Sequence, residues 1–300
     1  MGSLPLADVA RHLTAPDGAT LAYRLWRPGA PRRVLVLLHG VASNLTRWSE
    51  FVAATALRDT WDLLRPDLRG NGGSVWRGRM DLDVWCADLA ALLDAEGYAR
   101  AVVGGHCLGA NIAVEFARRF PERTAGLVLV EPMPREALVG YVKFLAATRP
   151  LFVPVAALLR ALGALGLHRR RLAPLDLTEL DRATRAALAA GRTELLERYV
   201  SPRGDLATTP TVAWLQALMA VSRGLPDLAA VPAPALALLA TGRAFTDPAI
   251  VERALARLPR CHLVKLEARH WIPTEQPAAM RAAIEDWCAG LDRHSGAMVY

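Results

Sequence analysis

Cysteine is scarce in this 300-residue chain, and its four cysteines, Cys86, Cys107, Cys261 and Cys288, are far apart. They form no C-x-x-C pair and no Cys/His spacing typical of a metal site. The sequence therefore excludes a disulfide scaffold and predicts neither a metal nor a cofactor. Disorder is excluded too, because 53% of the residues are hydrophobic and only 22% are charged.

Long uninterrupted hydrophobic segments are also missing. The N-terminus has no basic region followed by an apolar run, so no signal peptide is predicted. The longest apolar stretch, Leu151 to Leu167, contains Pro154 and Arg160 and is shorter than the roughly 20 residues of a spanning helix. We therefore expect no transmembrane segment and a cytoplasmic location.

Basic residues outnumber acidic ones, with 36 Lys and Arg against 29 Asp and Glu and a net charge of +7. Such an excess indicates a nucleic-acid partner only where it clusters. Here most arginines are scattered through predicted helices, and the one tight cluster is Arg169 to Arg171. Since no recognition motif or basic stripe with interleaved aromatics occurs either, we predict no nucleic-acid partner.

Short apolar runs alternate with helical patterns along most of the chain. Residues 20–26 alternate as in an exposed edge strand, and residues 34–38 form a continuous run typical of a strand buried on both faces. Further strands are predicted at 63–64, 101–105, 127–130, 235–240 and 262–266, and helices at 48–58, 82–96, 108–119 and 277–289. The alternation predicts the α/β class, with a parallel sheet between two layers of helices.

Residues 133–232 break this rhythm, since they read as several helices rich in Ala, Leu and Arg. We predict an all-helical cap at 133–232, inserted into an α/β core formed by 1–132 and 233–300. The stretch Leu151–Leu167 and the basic residues His168 to Arg171 allow two interpretations. One is a site for an anionic carrier, such as phosphopantetheine on an acyl carrier protein, or for a membrane surface. The other is a solvated helix end, where basic residues are favourable.

The segment Gly105-His106-Cys107-Leu108-Gly109 lies between a predicted strand and a predicted helix. It has the G-x-S-x-G pattern of a nucleophile elbow, with cysteine in the serine position. Side chains at the two glycine positions would collide with neighbouring backbone, and the helix N-terminus after Cys107 would stabilise a thiolate. The alternative is an inert buried cysteine after a glycine-rich turn.

Four motifs in this order resemble those of α/β-hydrolase-fold proteins, from about residue 12 to 290. They are His39-Gly40 after a buried strand, the loop DLRGNGGS at 67–74, the elbow GHCLG, and ARHW at 268–271 followed by EQP at 275–277. The resemblance implies an α/β-hydrolase fold, with a mostly parallel central sheet flanked by helices and an inserted helical cap.

The resemblance also implies roles for single residues. Cys107 would be the nucleophile and His270 the general base. The backbone N–H groups of Val41 and Leu108 would form the oxyanion hole. Candidate pocket residues are His39, Trp48 and Trp271, although His39 is also expected to brace its loop and either tryptophan fits the core equally well.

The acid is where the sequence departs from the family pattern. The family usually has G-x-x-D after the strand at 235–240, but here Gly242-Arg243-Ala244 is followed by Phe245. Asp247, two residues later, is the favoured acid. The alternative is Glu131, at the end of the preceding strand of the sheet. A Cys–His dyad is the third option, since a thiol needs less activation than a hydroxyl.

A cysteine nucleophile favours an acyl-thioester intermediate, and it disfavours relatives that use a carboxylate nucleophile, such as epoxide hydrolases and haloalkane dehalogenases. The leading prediction is an acyl hydrolase that cleaves a small-molecule ester, lactone or thioester. The second is an acyltransferase or cyclase of secondary metabolism that forms the same intermediate. The third is a non-catalytic protein that binds a small hydrophobic ligand in the same pocket.

Overall fold

The computed structural model describes residues 8–192, 199 and 201–295. Its strands are Asp8–Thr14 (β1), Thr20–Trp26 (β2), Arg33–Leu38 (β3), Trp61–Pro66 (β4), Ala101–His106 (β5), Thr124–Val130 (β6), Ala235–Ala240 (β7) and Cys261–Leu266 (β8). They form one sheet in the order β1-β2-β4-β3-β5-β6-β7-β8. The strand β2 runs antiparallel to both of its neighbours, and the six strands from β4 to β8 in this order are parallel.

Helices connect these strands and cover both faces of the sheet. The α-helices are Ser49–Ala54 (α1), Leu82–Ala95 (α2), Leu108–Arg119 (α3), Gly140–Ala164 (α4), Leu177–Ala189 (α5), Pro202–Thr208 (α6), Thr211–Val221 (α7), Pro248–Leu255 (α8), Ile272–Glu275 (α9) and Pro277–Ser295 (α10). Short 3-10 helices span Leu45–Trp48, Ala56–Asp59, Pro121–Arg123, Arg135–Ala137 and Leu228–Ala230.

The central strands are buried on both faces, as the continuous apolar runs predict. Along β3, Val34, Val36 and Leu38 pack into an apolar cluster on one face, and Leu35 and Leu37 pack into a second cluster on the other. Successive strand residues point to opposite faces, so an apolar strand supplies both layers. The predicted fold class, a mostly parallel sheet flanked by helices, is confirmed.

The antiparallel edge of the sheet differs from the sequence prediction. The strand β2 is not an edge strand, because it pairs with β1 on one side and β4 on the other. The edge strand is β1, which no apolar pattern indicated. Most of its residues are exposed, since it packs on the core through few side chains. A strand of this kind is specified by its neighbour's free edge rather than by its own hydrophobic pattern.

Between the ends of β6 and β7, the described residues form helices and no strand beyond one isolated bridge, Leu138 to Thr246. The longest of these helices, α4, has 25 residues and packs against α7. It begins well before the apolar stretch singled out in the sequence and runs through Pro150 and Pro154. By length and composition alone, α4 is long and apolar enough to cross a membrane, because the helix begins before the stretch Leu151–Leu167. The absence of a transmembrane segment stays a prediction.

Candidate active site

Cys107 lies between β5 and α3, at a sharp turn where its φ is 54°. A Cβ atom on Gly105 would overlap the backbone of Gly109. A Cβ atom on Gly109 would in turn overlap the carbonyl groups of Leu38 and His39. The steric reason that the sequence predicted for both glycines is therefore confirmed.

Backbone strain is concentrated around this turn. In the described ranges, the non-glycine residues with positive φ are Ala42, Cys107 and Glu131. Each follows the carboxyl end of a parallel strand, β3, β5 or β6 respectively. A left-handed conformation of this kind costs about 1–3 kcal/mol per residue and is maintained mainly where function requires it. The three positions lie beyond the carboxyl ends of the parallel strands, where α/β proteins bind their ligands.

The acid that meets His270 is Glu131. The Nδ1 atom of His270 lies 3.0 Å from Oε2 of Glu131, and both side chains are buried. The other carboxylate oxygen of Glu131 accepts a hydrogen bond of 2.6 Å from the backbone N–H of Ala240 in β7. One carboxylate thus joins the end of β6, the end of β7 and the imidazole.

His270 also interacts with the Cys107 thiol, and the two partners determine its charge. Burial lowers the pKa of His270, but hydrogen bonds and charge interactions with Cys107 and Glu131 outweigh it and raise the pKa from 6.5 to about 10. The raised pKa keeps the imidazole protonated at neutral pH, between the Cys107 sulfur and the Glu131 carboxylate. This arrangement supplies both a nucleophile and a proton donor at neutral pH.

Asp247, the acid that the sequence favoured, is not placed at the imidazole. Its Oδ1 atom accepts hydrogen bonds from the backbone N–H groups of Ala249 and Ile250, so it caps the N-terminus of α8. Its Oδ2 atom pairs with the exposed Arg243 at 2.5 Å. The expectation was wrong because the loop after β7 uses this carboxylate to begin the next helix.

The loop that carries His270 is fixed by two further groups. The carboxylate of Glu275 accepts hydrogen bonds of 3.0–3.3 Å from the backbone N–H groups of Arg269, His270 and Trp271. The ring of His106 lies 5.0 Å from that of His270, and its Nε2 is 3.0 Å from the His270 carbonyl oxygen. Burial holds the pKa of His106 well below its ordinary value, so a neutral ring donates this bond.

Glu275 had no assigned role in the sequence, although it belongs to the quoted EQP segment. Its position five residues after the histidine, at the end of a four-residue helix, lets its carboxylate turn back onto the loop. A carboxylate close after the candidate histidine is the signal that would have identified it.

The expected oxyanion donors lie on either side of Cys107. Leu108 is the first residue of α3, where backbone N–H groups have no partner within the helix. The loop after β3 passes close by, since a Cβ atom on Gly40 would lie only 3.3 Å from the Cβ atom of Cys107. Val41 follows in this loop and lines the cavity. Neither N–H group hydrogen-bonds to another residue of the described part of the chain.

A cavity of about 110 Å³ lies above Cys107. The core contributes Val41, Cys107, Phe245, His270 and Trp271 to its lining. Residues 133–232 contribute Met133, Tyr141, Val142, Leu175, Leu177, Leu180, Tyr199, Asp205, Leu218 and Val221, among others. Most of these side chains are apolar, so the cavity suits a hydrophobic group attached to the reacting carbonyl.

Of the three candidate pocket residues, the structure brings only Trp271 to the cavity. Trp48 is wholly buried in the core and packs edge-on against Phe51 at 6.1 Å. His39 is also buried; its Nε2 accepts from the Leu68 N–H, and its Nδ1 donates to the Gly40 carbonyl. Burial lowers the pKa of His39 to about 4, so the ring is neutral and joins two loops.

Two cavity residues close to Cys107 were missed in the sequence. The sulfur of Met133 lies 3.1 Å from the sulfur of Cys107, and Asn111 holds Met133 through two hydrogen bonds to its backbone. Tyr141 lines the cavity, and its ring packs edge-on against that of Phe245 at 5.9 Å. Neither residue belongs to a recognisable motif, so only the folded chain identifies them.

A buried ion pair beside the cavity joins the segment 133–232, which we call the cap, to the rest of the chain, which we call the core. Arg47 Nη1 lies 2.6 Å from Asp181 in α5 and 2.7 Å from the hydroxyl of Thr274. The same carboxylate accepts hydrogen bonds from Tyr199 and Thr274. Asp181 therefore has three partners, drawn from the core and the cap.

Comparisons with known proteins agree with this topology. A family model described as the alpha/beta hydrolase fold matches residues 33–174. Lipase LipV of Mycobacterium tuberculosis is 37% identical over 105 residues, which are 35% of this chain and 39% of that protein. The chain spans about two fifths of the length of the curated relatives that it matches.

Solved structures match over nearly the whole chain. A hydrolase from Pseudomonas aeruginosa has a TM-score of 0.68 and 26% identity, covering 93% of this chain and 98% of that one. An esterase from Thermogutta terrifontis has a TM-score of 0.67 and 23% identity, covering 95% and 98%. Because the identity to the esterase is low, this second similarity shows a shared fold and nothing more.

Proposed function

We propose that this chain, which has the alpha/beta hydrolase fold, cleaves a carboxylic ester, lactone or thioester through an acyl intermediate on Cys107. The observation that carries the proposal is that His270 binds a buried carboxylate and lines the same cavity as Cys107. His270 interacts with the Cys107 thiol, and its Nδ1 atom binds Glu131. Relatives described as a lipase and as hydrolases support the reaction class.

In the first half-reaction, the sulfur of Cys107 attacks the carbonyl carbon of the substrate. A C–S bond forms, and the bond from carbon to the leaving oxygen or sulfur breaks. The thiol proton resides on His270 and passes to the leaving group. The N–H groups of Val41 and Leu108 stabilise the negative charge that develops on the carbonyl oxygen.

In the second half-reaction, water replaces the acyl group. Acylation removes the negative charge from Cys107, and with it one of the two influences that raise the pKa of His270. The imidazole is then able to accept a proton from water, while Glu131 still orients it through Nδ1. Hydroxide adds to the thioester carbonyl, and the C–S bond breaks to release the carboxylic acid and the Cys107 sulfur. His270 keeps the proton that it took from water, which restores the starting state.

The cavity supports a small-molecule substrate with an apolar acyl group. Met133, Leu218 and Phe245 line the cavity together with Cys107. An apolar group that leaves water for such a lining gains about 25 cal/mol for each Å² buried.

The test is intact-protein mass measurement during incubation with activated esters and thioesters of increasing acyl length. We expect one acyl adduct on the wild-type protein, together with release of the carboxylic acid. The Cys107→Ala variant should show neither. Cys261→Ala is the matched control, because Cys261 is a partly exposed thiol outside the cavity and its removal should change nothing.

Two other results would change the proposal. An adduct on Cys107 that turns over only after an amine or an alcohol is added would replace hydrolysis by acyl transfer. Absence of both adduct and turnover across the ester and thioester panels would overturn the enzymatic assignment in favour of ligand binding.

A further inference from the structure

The exposed large apolar side chains of this protein are concentrated in one segment. Ten such side chains occur among the described residues, and eight of them lie between Tyr141 and Leu167, in α4 and just beyond its end. The other two, Val9 and Val75, lie outside this segment, near the N-terminal part of the sheet in sequence. Single exposed apolar residues are ordinary, but a contiguous set marks an interaction surface.

Exposed side chains of α4, together with Leu165 just after its end, form a stripe. Phe144, Leu151, Leu158 and Leu165 recur every seven residues and are 58–75% exposed. Seven residues are close to two helical turns, so these side chains lie on one side of the helix over about 30 Å. Val142, Ala146 and Ala156 of the same helix are buried. We call the four exposed residues Phe144, Leu151, Leu158 and Leu165 the apolar stripe.

The charges around the apolar stripe have one sign. Residues 140–171 contain Lys143, Arg149, Arg160 and the cluster Arg169 to Arg171, and no Asp or Glu. Lys143 and the arginine cluster are exposed at the two ends of the stripe, whereas Arg149 and Arg160 are half-buried. The guanidinium of Arg169 donates to the carbonyls of Leu206 and Thr209, which fixes the cluster to the cap.

We propose that α4 lies on the surface of an anionic lipid bilayer, with the apolar stripe inserted among the acyl chains. Lys143 and the arginine cluster would contact the phosphate headgroups at its two ends. This combination, a long apolar face flanked by basic residues without acidic ones, is what an interfacial helix requires. The proposal is independent of the proposed catalytic function.

The same observations disfavour the other occupants of this surface. A second copy of the chain would bring the same basic, acid-free segment against itself. A crossing of the bilayer would require α4 to leave α7, against which it packs, and to expose Arg149 and Arg160 to lipid. Docking on the bilayer surface requires neither the separation of α4 from α7 nor the exposure of the two arginines to lipid.

The test is flotation of the full chain with two kinds of vesicle, one of phosphatidylcholine alone and one that also contains phosphatidylglycerol. We expect binding to the anionic vesicles, and little to the neutral ones. The combined variant Phe144→Gln, Leu151→Gln, Leu158→Gln should bind about hundredfold more weakly. The variant Arg170→Glu, Arg171→Glu should lose about tenfold or more.

Matched controls exist for both variants. Val9→Gln, Val75→Gln removes the two exposed apolar side chains outside the segment, and Arg192→Glu, Arg253→Glu makes the same charge change at exposed sites elsewhere. Both controls should bind as wild type. All these residues are exposed and lie outside the cavity. We therefore expect each variant to keep the wild-type melting temperature and the wild-type hydrolysis of dissolved ester, and these two measurements show that it is folded.

Three results would overturn the proposal. They are absence of binding to both vesicle types, equal binding by wild type and the stripe variant, and equal binding to neutral and anionic vesicles. A dimer in solution that the stripe variant converts to monomer, without vesicle binding by wild type, would assign the surface to a second copy instead.

Discussion

On the sheet side of the cavity the reactive side chains are held by backbone hydrogen bonds, whereas on the cap side a few side-chain contacts join helices to the core. Glu131 is fixed by the N–H of Ala240, and Glu275 fixes three N–H groups of the loop that carries His270. The cap depends instead on contacts such as the pair of Arg47 and Asp181. We expect changes on the sheet side to alter turnover, and changes on the cap side to alter stability.

The largest effect should follow from Glu131→Gln. Glutamine keeps the volume and the bond to Ala240, but it cannot stabilise a protonated His270. We expect turnover to fall by about 10²–10⁴-fold, with the Michaelis constant nearly unchanged. Steady-state kinetics on an activated ester measure both quantities, and the melting temperature shows whether the variant is folded.

Asp247→Asn is the matched control for this prediction. Asparagine is also a good N-cap for α8, so turnover should stay within about twofold of wild type. A large loss in Asp247→Asn with an unaffected Glu131→Gln would return the acid to the position that the sequence favoured.

The assignment of the acid shows where inference from sequence ends. The elbow around Cys107 was predictable, because glycine spacing and the change from strand to helix are local. The partner of His270 was not, because two carboxylates follow the ends of strands and the backbone decides which one turns inward. Glu131 turns inward through a φ of 51°, whereas Asp247 begins a helix. A positive φ at a glutamate leaves no mark in the sequence.

The same reasoning explains the other differences. The strands buried on both faces, such as β3 and β7, were located from their apolar runs within about one residue. The strand β1 has few buried side chains and thus no pattern to detect. Trp48 was a candidate for the pocket and lies in the core, since an aromatic residue type suits both places.

The next largest effect should come from breaking the ion pair between cap and core. Arg47→Met leaves the buried carboxylate of Asp181 without its cation, and we expect the free energy of unfolding to fall by about 3–5 kcal/mol. Arg47→Met combined with Asp181→Asn should cost less than the sum of the two single changes, because the charge left unpaired is then removed. Denaturant unfolding measures all three, and additive losses would show that the pair does not join the two regions.

The smallest effect concerns Asp205, a carboxylate on the cap side that forms no ion pair with any of the described residues. Burial raises the pKa of Asp205 from 3.8 to about 6, although a hydrogen bond from Trp214 opposes the rise. The folded chain therefore holds this proton more tightly than the unfolded chain, and its stability falls as the pH rises from 3.8 through about 6.

Asp205→Asn stays neutral at every pH and can still accept the bond from Trp214. The variant should be more stable than wild type at neutral pH by about 1–3 kcal/mol, and equally stable below pH 3.8, where both side chains are uncharged. Glu179→Gln, at an exposed pair with Arg182 on α5, should show no such difference between the two pH values. If Asp205→Asn raises the free energy of unfolding as much in acid as at neutral pH, the buried charge of Asp205 is not what destabilises the folded chain. The contrast with the hydrogen-bonded carboxylates of the sheet side then disappears.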